Sequence, residues 1–264
     1  MKKIMSKALD RFSLVGRTAI VTGASSGMGR HFVGTLADAG ARVVCAARRK
    51  DSIEEVAEEI RSRGGQAIAI EVDIGSTESV ARAFEEATKA FGLIDLLVNN
   101  AGQIVFAPFP DITDDQWNNL MNVNVAGSMR MTREFCKRLI AAGKPGSIVN
   151  ITSITGQQTK AYLSIYGTAK AALIQFTKQV AMDMLPHKIR VNSIAPGYFR
   201  TAMVDWYFDS DAGKIEVENL PAKRVGFLEE LDGPLLLLAS DAGSYLNGVI
   251  LPVDYGHVVR ISST

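Results

Sequence analysis

The sequence has few of the residues that build metal sites and disulfide frameworks. It contains only two cysteines, Cys45 and Cys136, and three histidines in 264 residues. Both cysteines stand in apolar runs, with no CxxC spacing and no cysteine–histidine cluster. This scarcity argues against a structural zinc site and against a disulfide framework. We therefore expect no bound metal and a reducing environment.

An excess of one charge and long apolar runs are also absent. The 29 basic and 28 acidic residues give a net charge of +1, and their mixing along the chain argues against nucleic-acid binding. No apolar run approaches the ~20 residues that a membrane span requires, and residues 1–14 lack the apolar core of a signal peptide. We expect a cytoplasmic protein without nucleic-acid or membrane partners.

Short runs rich in β-branched residues alternate with longer stretches of helical spacing. In one such stretch Ile53, Val56, Ala57 and Ile60 recur every three or four residues, which predicts an amphipathic helix. The alternation predicts one α/β domain of Rossmann type, with a core at about residues 16–254 and helices on both faces of a parallel sheet. About seven strands are predicted, at residues 18–22, 42–46, 67–72, 93–98, 147–151, 190–194 and 248–253.

Two stretches, residues 113–143 and 161–185, predict long helices. Pro186 ends the second, because proline lacks an N–H and clashes with the preceding turn. The segment 198–229 carries aromatic and acidic residues and no predicted strand. A connection of this length after a strand is typical of a functional lid.

A glycine-rich turn follows the first predicted strand. Gly23, Gly27 and Gly29 stand in the spacing GxxxGxG, between a strand and a helix. Glycines in such a turn let the backbone approach a pyrophosphate, whose charge then rests on the helix N-terminus. The spacing differs from the general GxGxxG fingerprint, so the interpretation depends on this strand–helix context.

The end of the second strand indicates which dinucleotide binds. About twenty residues past the turn, where a carboxylate would bind the ribose of NAD, the sequence has Arg48, Arg49 and Lys50. A guanidinium suits a 2′-phosphate, so we expect NADP(H) rather than NAD(H). The alternative is a solvated basic helix start with Asp51 pairing locally. Asp73, after the third strand, is expected either to accept a hydrogen bond from adenine or to cap a helix.

Tyr166 and Lys170 form a candidate catalytic pair. Their four-residue spacing places both on one helix face, and a nearby ammonium lowers the pKa of a phenol towards the range of an acid–base catalyst. Ser153 lies thirteen residues earlier at a strand end, where its hydroxyl could meet the same carbonyl oxygen. Tyr162 is a rival phenol without a lysine four residues on.

These motifs together resemble those of the short-chain dehydrogenase/reductase family, over about residues 16–254. The family's TGxxxGxG turn matches 22–29, its NNAG motif matches 99–102 and its PG motif matches 196–197. Its active-site Asn, Ser, Tyr and Lys match Asn124, Ser153, Tyr166 and Lys170. The C-terminal half is similar to 3-oxoacyl-acyl-carrier-protein reductases and sugar-acid dehydrogenases.

The resemblance implies a role for each matching residue. Tyr166 would exchange a proton with the substrate oxygen, Ser153 would hold that oxygen, Lys170 would bind the nicotinamide ribose, and Asn124 would position a water. Cofactor contacts are then expected from Gly23, Ser25, Ser26, Gly27, Met28, Gly29, Arg48, Arg49, Asp73, Ile74, Asn100, Ala101, Gly102, Tyr166, Lys170, Pro196, Gly197, Phe199 and Thr201.

The expected activity is interconversion of a medium-sized ketone and a secondary alcohol with NADP(H). Two alternatives stay open: an NAD-dependent alcohol or sugar-acid dehydrogenase, and a dinucleotide-binding sensor without catalysis. Substrate contacts are expected from residues without an obvious cation, which favours a neutral substrate: Gln103, Ile154, Gln157, Tyr198 and Met203 to Trp206.

Apolar residues on the two long helices predict self-association. We expect these residues to be more than one sheet face can cover, and members of the family that the motifs resemble commonly pair these helices across a two-fold axis. We expect a homotetramer, with a dimer as the alternative. The apolar residues concerned are Val123, Met131, Phe135, Leu139, Leu173, Phe176, Val180 and Met184.

Overall fold

The computed structural model describes residues 7–201 and 204–260. Its centre is a seven-stranded parallel sheet in the order β3-β2-β1-β4-β5-β6-β7, as the alternation predicts. The strands are β1 (Thr18–Thr22), β2 (Arg42–Ala47), β3 (Gln66–Glu71), β4 (Leu96–Asn99), β5 (Gly146–Ile151), β6 (Ile189–Pro196) and β7 (Ile250–Val253).

Helices cover both faces of the sheet. The helices are α1 (Gly27–Asp38), α2 (Lys50–Ser62), α3 (Thr77–Phe91), α4 (Asp114–Met121), α5 (Ser128–Ala142), α6 (Ser164–Asp183), α7 (Asp205–Asp209), α8 (Asp211–Asn219) and α9 (Asp232–Ala239). Short 3₁₀ turns lie at Phe109–Asp111, Ile154–Gly156, Leu185–His187, Leu228–Leu231 and Asp241–Gly243.

Successive strand residues face opposite sides, so each strand supplies two cores. Val21 packs with α1, α2 and α9 on one face, whereas Ile20 packs with α3, α5 and the end of α6 on the other. Because both faces are covered, the central strands β1, β2 and β4 are mostly apolar, whereas β5 and β6 also bury polar side chains such as Asn150 and Asn192. This double burial explains why the strand positions are visible in the sequence.

The two predicted long helices differ in detail from the expectation. A π-helical segment, Asn122–Gly127, joins α4 to α5, so residues 113–143 do not form one regular helix. Helix α6 begins at Ser164 rather than at 161, after Tyr162 takes a left-handed backbone with φ +66°. Pro186 lies in the 3₁₀ turn just beyond the end of α6, as expected for a helix-terminating proline.

The apolar surplus predicted on these helices is partly wrong. Met131, Phe135, Leu139 and Leu173 are at most 1% exposed within the single chain. Met131, Phe135 and Leu139 pack in the core on one face of the sheet, so the chain itself covers them, and Leu173 is buried within the chain as well. They provide no argument for self-association.

Candidate functional site

A cleft of about 390 Å³ opens at the carboxyl edge of the sheet. The chain order reverses between β1 and β4, and a parallel sheet leaves a crevice at such a point. The cleft brings together most of the predicted site residues, which are Gly23, Ser25, Ser26, Gly27, Met28, Arg48, Arg49, Asp73, Ile74, Asn100, Ala101, Gly102, Ser153, Tyr166, Lys170, Pro196, Gly197 and Thr201.

Three predicted residues do not line this cleft. Gly29 lies beneath the turn, where a Cβ would come within 2.2 Å of the Gly23 carbonyl oxygen. Phe199 is 5% exposed and packs in the core, with its backbone bridged to Gly226. Asn124 is 1% exposed and acts from behind the lining.

The glycine turn forms a cradle that a side chain would fill. Gly23 has φ +68°, and a Cβ there would lie 2.9 Å from the Ala101 Cα. Helix α1 starts directly after the turn, and in the described structure the Ser26 side chain does not cap it. The first N–H groups of α1 therefore remain available to an anion, and the cradle fits the pyrophosphate of a dinucleotide.

Hydrogen bonds link the start of the glycine turn to the end of β4, the strand beside β1 in the sheet. Thr22 Oγ1 accepts hydrogen bonds from the backbone N–H groups of Asn100 and Ala101, each at 3.0 Å. The Asn100 amide in turn donates to the Thr22 carbonyl oxygen at 2.9 Å. The ends of β1 and β4 are thereby held in register, which sets the floor of the cleft.

The basic end of β2 is arranged around the turn. Arg49 donates to the hydroxyl oxygens of Ser25 and Ser26, at 2.9 and 3.2 Å. Across the described ranges, Arg48 has neither a side-chain hydrogen bond nor an ion pair and is exposed. The predicted alternative, local pairing with Asp51, is wrong, because none of the described ion pairs involves Asp51. Two guanidiniums therefore border the cleft without a carboxylate partner.

Asp73 does not cap the next helix. Ser76 is the N-cap of α3 and accepts from the Ser79 N–H at 3.2 Å. Asp73 instead accepts from the Gly75 N–H at 2.9 Å and borders the cleft beside Ile74. Of the two expectations for Asp73, the helix cap is wrong.

Ser153, Tyr166 and Lys170 line the cleft together. The Ser153 hydroxyl oxygen accepts hydrogen bonds from the Thr155 N–H and hydroxyl, at 3.1 and 2.9 Å, and Ser153 lies near enough to the Tyr166 phenol to lower its pKa. The Lys170 ammonium donates to the Ile151 carbonyl oxygen at 2.8 Å and lies 5.5 Å from the centre of the Tyr166 ring. Tyr162 is 62% exposed, so the structure separates the two phenols that the sequence left as rivals.

Burial governs the protonation of this pair. It raises the pKa of Tyr166 to about 12, against a smaller lowering by the Ser153 hydroxyl. It lowers the pKa of Lys170 to about 8. The expected lowering of the tyrosine pKa by the ammonium is therefore wrong for the protein alone, because desolvation penalises both charged forms.

Asn124 occupies the π-helical segment and holds the neighbouring loop. Its Oδ1 accepts from the Gln103 N–H at 2.7 Å, and its Nδ2 donates to the Gln103 carbonyl oxygen at 2.9 Å. A Cβ on Gly102 would lie 3.4 Å from Asn124 Oδ1 and 3.7 Å from Lys170 Nζ. Asn124 and Lys170 thus both lie close to Gly102.

Sequence reasoning missed several lining residues and one cluster. Small or apolar residues at strand ends also border the cleft, and their place at the end of a predicted strand was the only signal for them: Ala46, Ala47, Val72, Ile151 and Thr152. Val123 borders it from the π-helical segment. Lys160 was missed as a cation near the expected substrate contacts. It pairs with Glu216, 56 residues away in the chain, and no local pattern announces such a contact.

The expected substrate contacts are only partly in the cleft. Gln103 lines it, whereas Ile154 is buried and Gln157 is exposed outside it. Tyr198 lines a second, smaller cavity of about 130 Å³. Met203 lies outside the described residues.

Two kinds of feature are not found among the described residues, a metal-binding cluster and a membrane-spanning helix. In the described part of the chain, no three His, Cys, Asp or Glu side chains come together as a metal site. None of the described helices combines the length and apolar character needed to cross a bilayer.

The fold and the cleft define a Rossmann-type, dinucleotide-dependent oxidoreductase, and comparison with known proteins narrows the class. The family model of the short chain dehydrogenases matches residues 17–211. A 2-dehydro-3-deoxy-D-gluconate 5-dehydrogenase of Dickeya dadantii is 32% identical over 255 residues, 96% of this chain and 99% of that protein. An L-xylulose reductase of Mesocricetus auratus is 34% identical, over 93% of this chain and 98% of that protein.

A solved structure extends the likeness to three dimensions. The gluconate 5-dehydrogenase of Burkholderia cenocepacia, in complex with NADP and tartrate, has a TM-score of 0.92 at 34% identity. The match covers 96% of this chain and 100% of that one. The chain belongs to the short-chain dehydrogenase family and is an oxidoreductase. The alternative of a sensor without catalysis does not stand.

Proposed function

We propose that this chain is an NADP(H)-dependent oxidoreductase that interconverts a ketone and a secondary alcohol. The observation that carries the proposal is one cleft with two functional ends. Ser153, Tyr166 and Lys170 meet at one end, and the glycine turn with Arg48 and Arg49 forms the other. A dinucleotide with a 2′-phosphate matches the charge and shape of the second end.

The cofactor would be held by backbone, small side chains and the two arginines. The turn from Gly23 to Gly29 would take the pyrophosphate, Arg48 and Arg49 the 2′-phosphate, and Asp73 with Ile74 the adenine. The segment 100–102 would support the adenine ribose. Pro196, Gly197 and the Phe199 backbone would border the nicotinamide, with Thr201 reaching its amide. The NADP bound to the Burkholderia protein supports this choice.

The protein's own part in the chemistry is orientation and proton transfer. NADPH, when bound, supplies the hydride for carbonyl reduction. Ser153 would hold the substrate oxygen by a hydrogen bond, and Tyr166 would donate the proton to that oxygen. Lys170 would hold the nicotinamide ribose. Asn124 would keep the 102–103 segment in place and position a water next to Lys170.

Tyr166 keeps its proton at neutral pH, because its pKa is raised to about 12 by burial. The protonated phenol is the form that ketone reduction requires, whereas alcohol oxidation requires the phenolate. At neutral pH the chain therefore holds Tyr166 in the protonation state with which ketone reduction begins.

The cofactor assignment is tested by fluorescence titration with NADPH and NADH. We expect tighter binding of NADPH, and in Arg48→Ala and Arg49→Ala a Kd for NADPH at least tenfold higher, because each guanidinium is a ligand for the 2′-phosphate. NADH binding should change little. Lys50→Ala is the matched control, since Lys50 is basic and adjacent but does not line the cleft. NADH binding as tight as NADPH binding in the wild type, or a Kd for NADPH that neither arginine substitution raises, would contradict the assignment.

The catalytic assignment is tested with a paired tyrosine substitution. NADPH oxidation is followed over a panel of neutral ketones for the wild type, Tyr166→Phe and Tyr162→Phe. We expect turnover to fall by about 10²–10⁴ in Tyr166→Phe, the usual contribution of a positioned acid, and to change little in Tyr162→Phe. Comparable losses in both variants would refute the role of Tyr166.

A second candidate function is oxidation of a sugar acid. The names of the Dickeya and Burkholderia relatives favour it. It predicts turnover of gluconate-type substrates with NADP⁺ or NAD⁺ in preference to neutral alcohols. The same panel, extended to these substrates, decides between the two.

Self-association and a cytoplasmic location complete the proposal. A homotetramer, or a dimer, is supported by the exposed apolar side chains of Met182, Leu185 and Tyr245; the last two line one shallow depression. Cys45 and Cys136 are unpaired and buried, which fits a reducing compartment.

A further inference from the structure

A cluster of four side chains at the carboxyl edge of the sheet has no part in the proposed chemistry. The Lys160 ammonium donates to both carboxylate oxygens of Glu216, at 2.6 Å for Oε2, and lies 3.3 Å from the Tyr198 hydroxyl. It also lies 5.1 and 4.9 Å from the ring centres of Tyr198 and Tyr207. The Tyr207 hydroxyl donates to Glu216. We call these four residues the Lys160 cluster.

The chain connections place the Lys160 cluster beside the end of the cleft that holds Ser153 and Tyr166, although none of its four residues lines the cleft itself. Lys160 lies on the loop between Ser153 and Tyr166, and Tyr198 directly follows Gly197, which lines the cleft. Tyr207 stacks on Phe106, with ring centres 6.1 Å apart and an interplanar angle of 18°. These loops follow β4, β5 and β6, away from the turn and the arginines at the ends of β1 and β2.

The charge of Lys160 is neutralised inside the cluster. The side chains of Lys160 and Glu216 are only 26% and 20% exposed. Burial alone would raise the pKa of Glu216, but hydrogen bonds from Lys160, Tyr198 and Tyr207 hold it below its ordinary value. Glu216 is thus ionised at neutral pH, and the pair has no net charge.

Two arginines of the 198–229 segment are also paired. Arg200 contacts Asp209 at 2.8 Å, and Arg224 contacts Glu230 at 2.7 Å. The remaining wall is aromatic: Trp206 packs edge-to-face on Phe106, with ring centres 5.9 Å apart, and is 61% exposed. The surface beside the Ser153 and Tyr166 end of the cleft therefore presents aromatic faces and a compensated ion pair.

We propose that Glu216 determines the substrate class because its carboxylate neutralises the ammonium of Lys160. The enzyme then selects an uncharged ketone or secondary alcohol over one that carries a carboxylate. The proposal rests on the proposed function of the cleft. It separates this chain from the sugar-acid chemistry that the names of its relatives denote.

The physical reason is the cost of bringing a second carboxylate to the pair. A substrate carboxylate would lose water beside Glu216 and gain no unpaired cation in return, whereas an apolar or aromatic group loses nothing comparable there. Exclusion by an unmatched charge is a usual source of specificity. Removing the charge of Glu216 would leave Lys160 as a free partner for an anion.

The test compares oxoalkanoates of four to eight carbons, keto group at the penultimate carbon, with their methyl esters. Each pair differs only in the charged group, and kcat/KM is measured with NADPH. Where neither the acid nor its ester is turned over, both are measured as inhibitors of the reduction of the best neutral ketone. For the wild type we expect at least a tenfold preference for the ester. In Glu216→Gln we expect the ester-to-acid ratio to fall at least tenfold, mainly through KM for the acid.

Three further variants show whether the change comes from the freed lysine. Lys160→Met/Glu216→Leu replaces the ion pair by apolar groups and should keep the ester preference. Glu216→Gln is expected to raise kcat/KM for the acids, and this increase should be absent in Lys160→Met/Glu216→Gln. Glu218→Gln, an exposed position on the same helix, is the control and should match the wild type.

Each result has a distinct meaning. A wild type that prefers the acids, or a Glu216→Gln variant with an unchanged ratio, overturns the role of Glu216 while the proposed function stands. Failure of every carbonyl compound to be reduced contradicts the proposed function itself. Thermal unfolding of each variant shows whether a change in kcat/KM comes from a loss of folding. If Glu216→Gln does not fold, the test rests on the ester preference of Lys160→Met/Glu216→Leu.

Discussion

At the residue scale, desolvation outweighs charge pairing at the catalytic end of the cleft. Tyr166 and Lys170 share a helix face, yet the Lys170 ammonium donates to the Ile151 carbonyl oxygen and contacts the ring of Tyr166 rather than compensating a phenolate. Lys170 is 4% exposed, so its charged form is disfavoured. The protein alone keeps the tyrosine protonated and holds a lysine that titrates close to neutral pH.

Lys170 gives a pH-dependent contribution to stability. Its pKa is about 8 in the folded chain and 10.5 when exposed, so between these values the unfolded state binds more protons. Its contribution to the free energy of unfolding therefore rises from about pH 8 to 10.5. We predict that Lys170→Met is more stable than the wild type at pH 7, by roughly 3 kcal/mol at most, and that this advantage shrinks as the pH rises.

Urea unfolding from pH 7 to 10 measures this difference. The Ile151 carbonyl loses its partner in the variant, which reduces the gain. Lys178→Met on the same helix is the control, because Lys178 is exposed and its difference from the wild type should not vary with pH. A pH-independent difference for Lys170→Met would show that burial does not shift this lysine.

At the element scale, the π-helical segment decides where Asn124 points. Residues 113–143 have the apolar spacing of one helix, but Asn122–Gly127 widens the backbone and directs Asn124 at Gln103. Gly127 faces Ile74, and a Cβ there would lie 2.6 Å from Ile74 Cδ1. Single-turn π segments commonly occur at functional sites. Here the segment joins the wall of the cleft to the loop beside Lys170.

We predict that Gly127→Ala destabilises the protein by about 1–3 kcal/mol, the usual cost of overpacking, and weakens cofactor binding through the displaced Ile74. Gly233→Ala is the control. Gly233 is an exposed glycine in α9 whose added Cβ would meet nothing within 4 Å. It should stabilise by up to about 1 kcal/mol. Denaturant unfolding with NADPH titration measures both, and equal effects would contradict the packing argument.

At the scale of the whole molecule, the cofactor and substrate ends are assembled by crossover connections of a parallel sheet. Each loop at the carboxyl edge contributes a different part, from the turn after β1 to the segment after β6. The opposite edge carries none of the proposed site residues. It has the exposed side chains of Leu185 and Tyr245 around one depression, with Met182 nearby on α6.

We predict that this apolar surface lies in a contact between copies of the chain. Tyr245 is fully exposed, and burying such a ring against a partner is favourable. Leu185→Asp and Tyr245→Asp should shift sedimentation from a tetramer or dimer towards the monomer. Phe109→Asp, an exposed position at the other edge of the sheet, should leave the state unchanged. A wild-type monomer at micromolar concentration would refute the prediction.

The fold was predictable because its signals are local and repeated. The buried strand from Thr18 to Thr22 lies where the apolar run predicts it, since strands covered on both faces need continuous apolar residues. The predicted start of α6 is three residues too early, because Tyr162 has a left-handed backbone and its carbonyl oxygen accepts a hydrogen bond from the Ala107 N–H of another loop. A local pattern carries no information about that partner.

The sequence alone determined the class of this protein, the glycine turn and the identity of Ser153, Tyr166 and Lys170, because spacing within a short segment specifies each of them. Tertiary structure decided what depends on distant partners: the buried protonation of Tyr166 and Lys170, and the pairing of Lys160 with Glu216. Desolvation and ion pairing depend on which atoms surround a group. Those atoms come together only when loops far apart in the chain meet at one edge of the folded sheet.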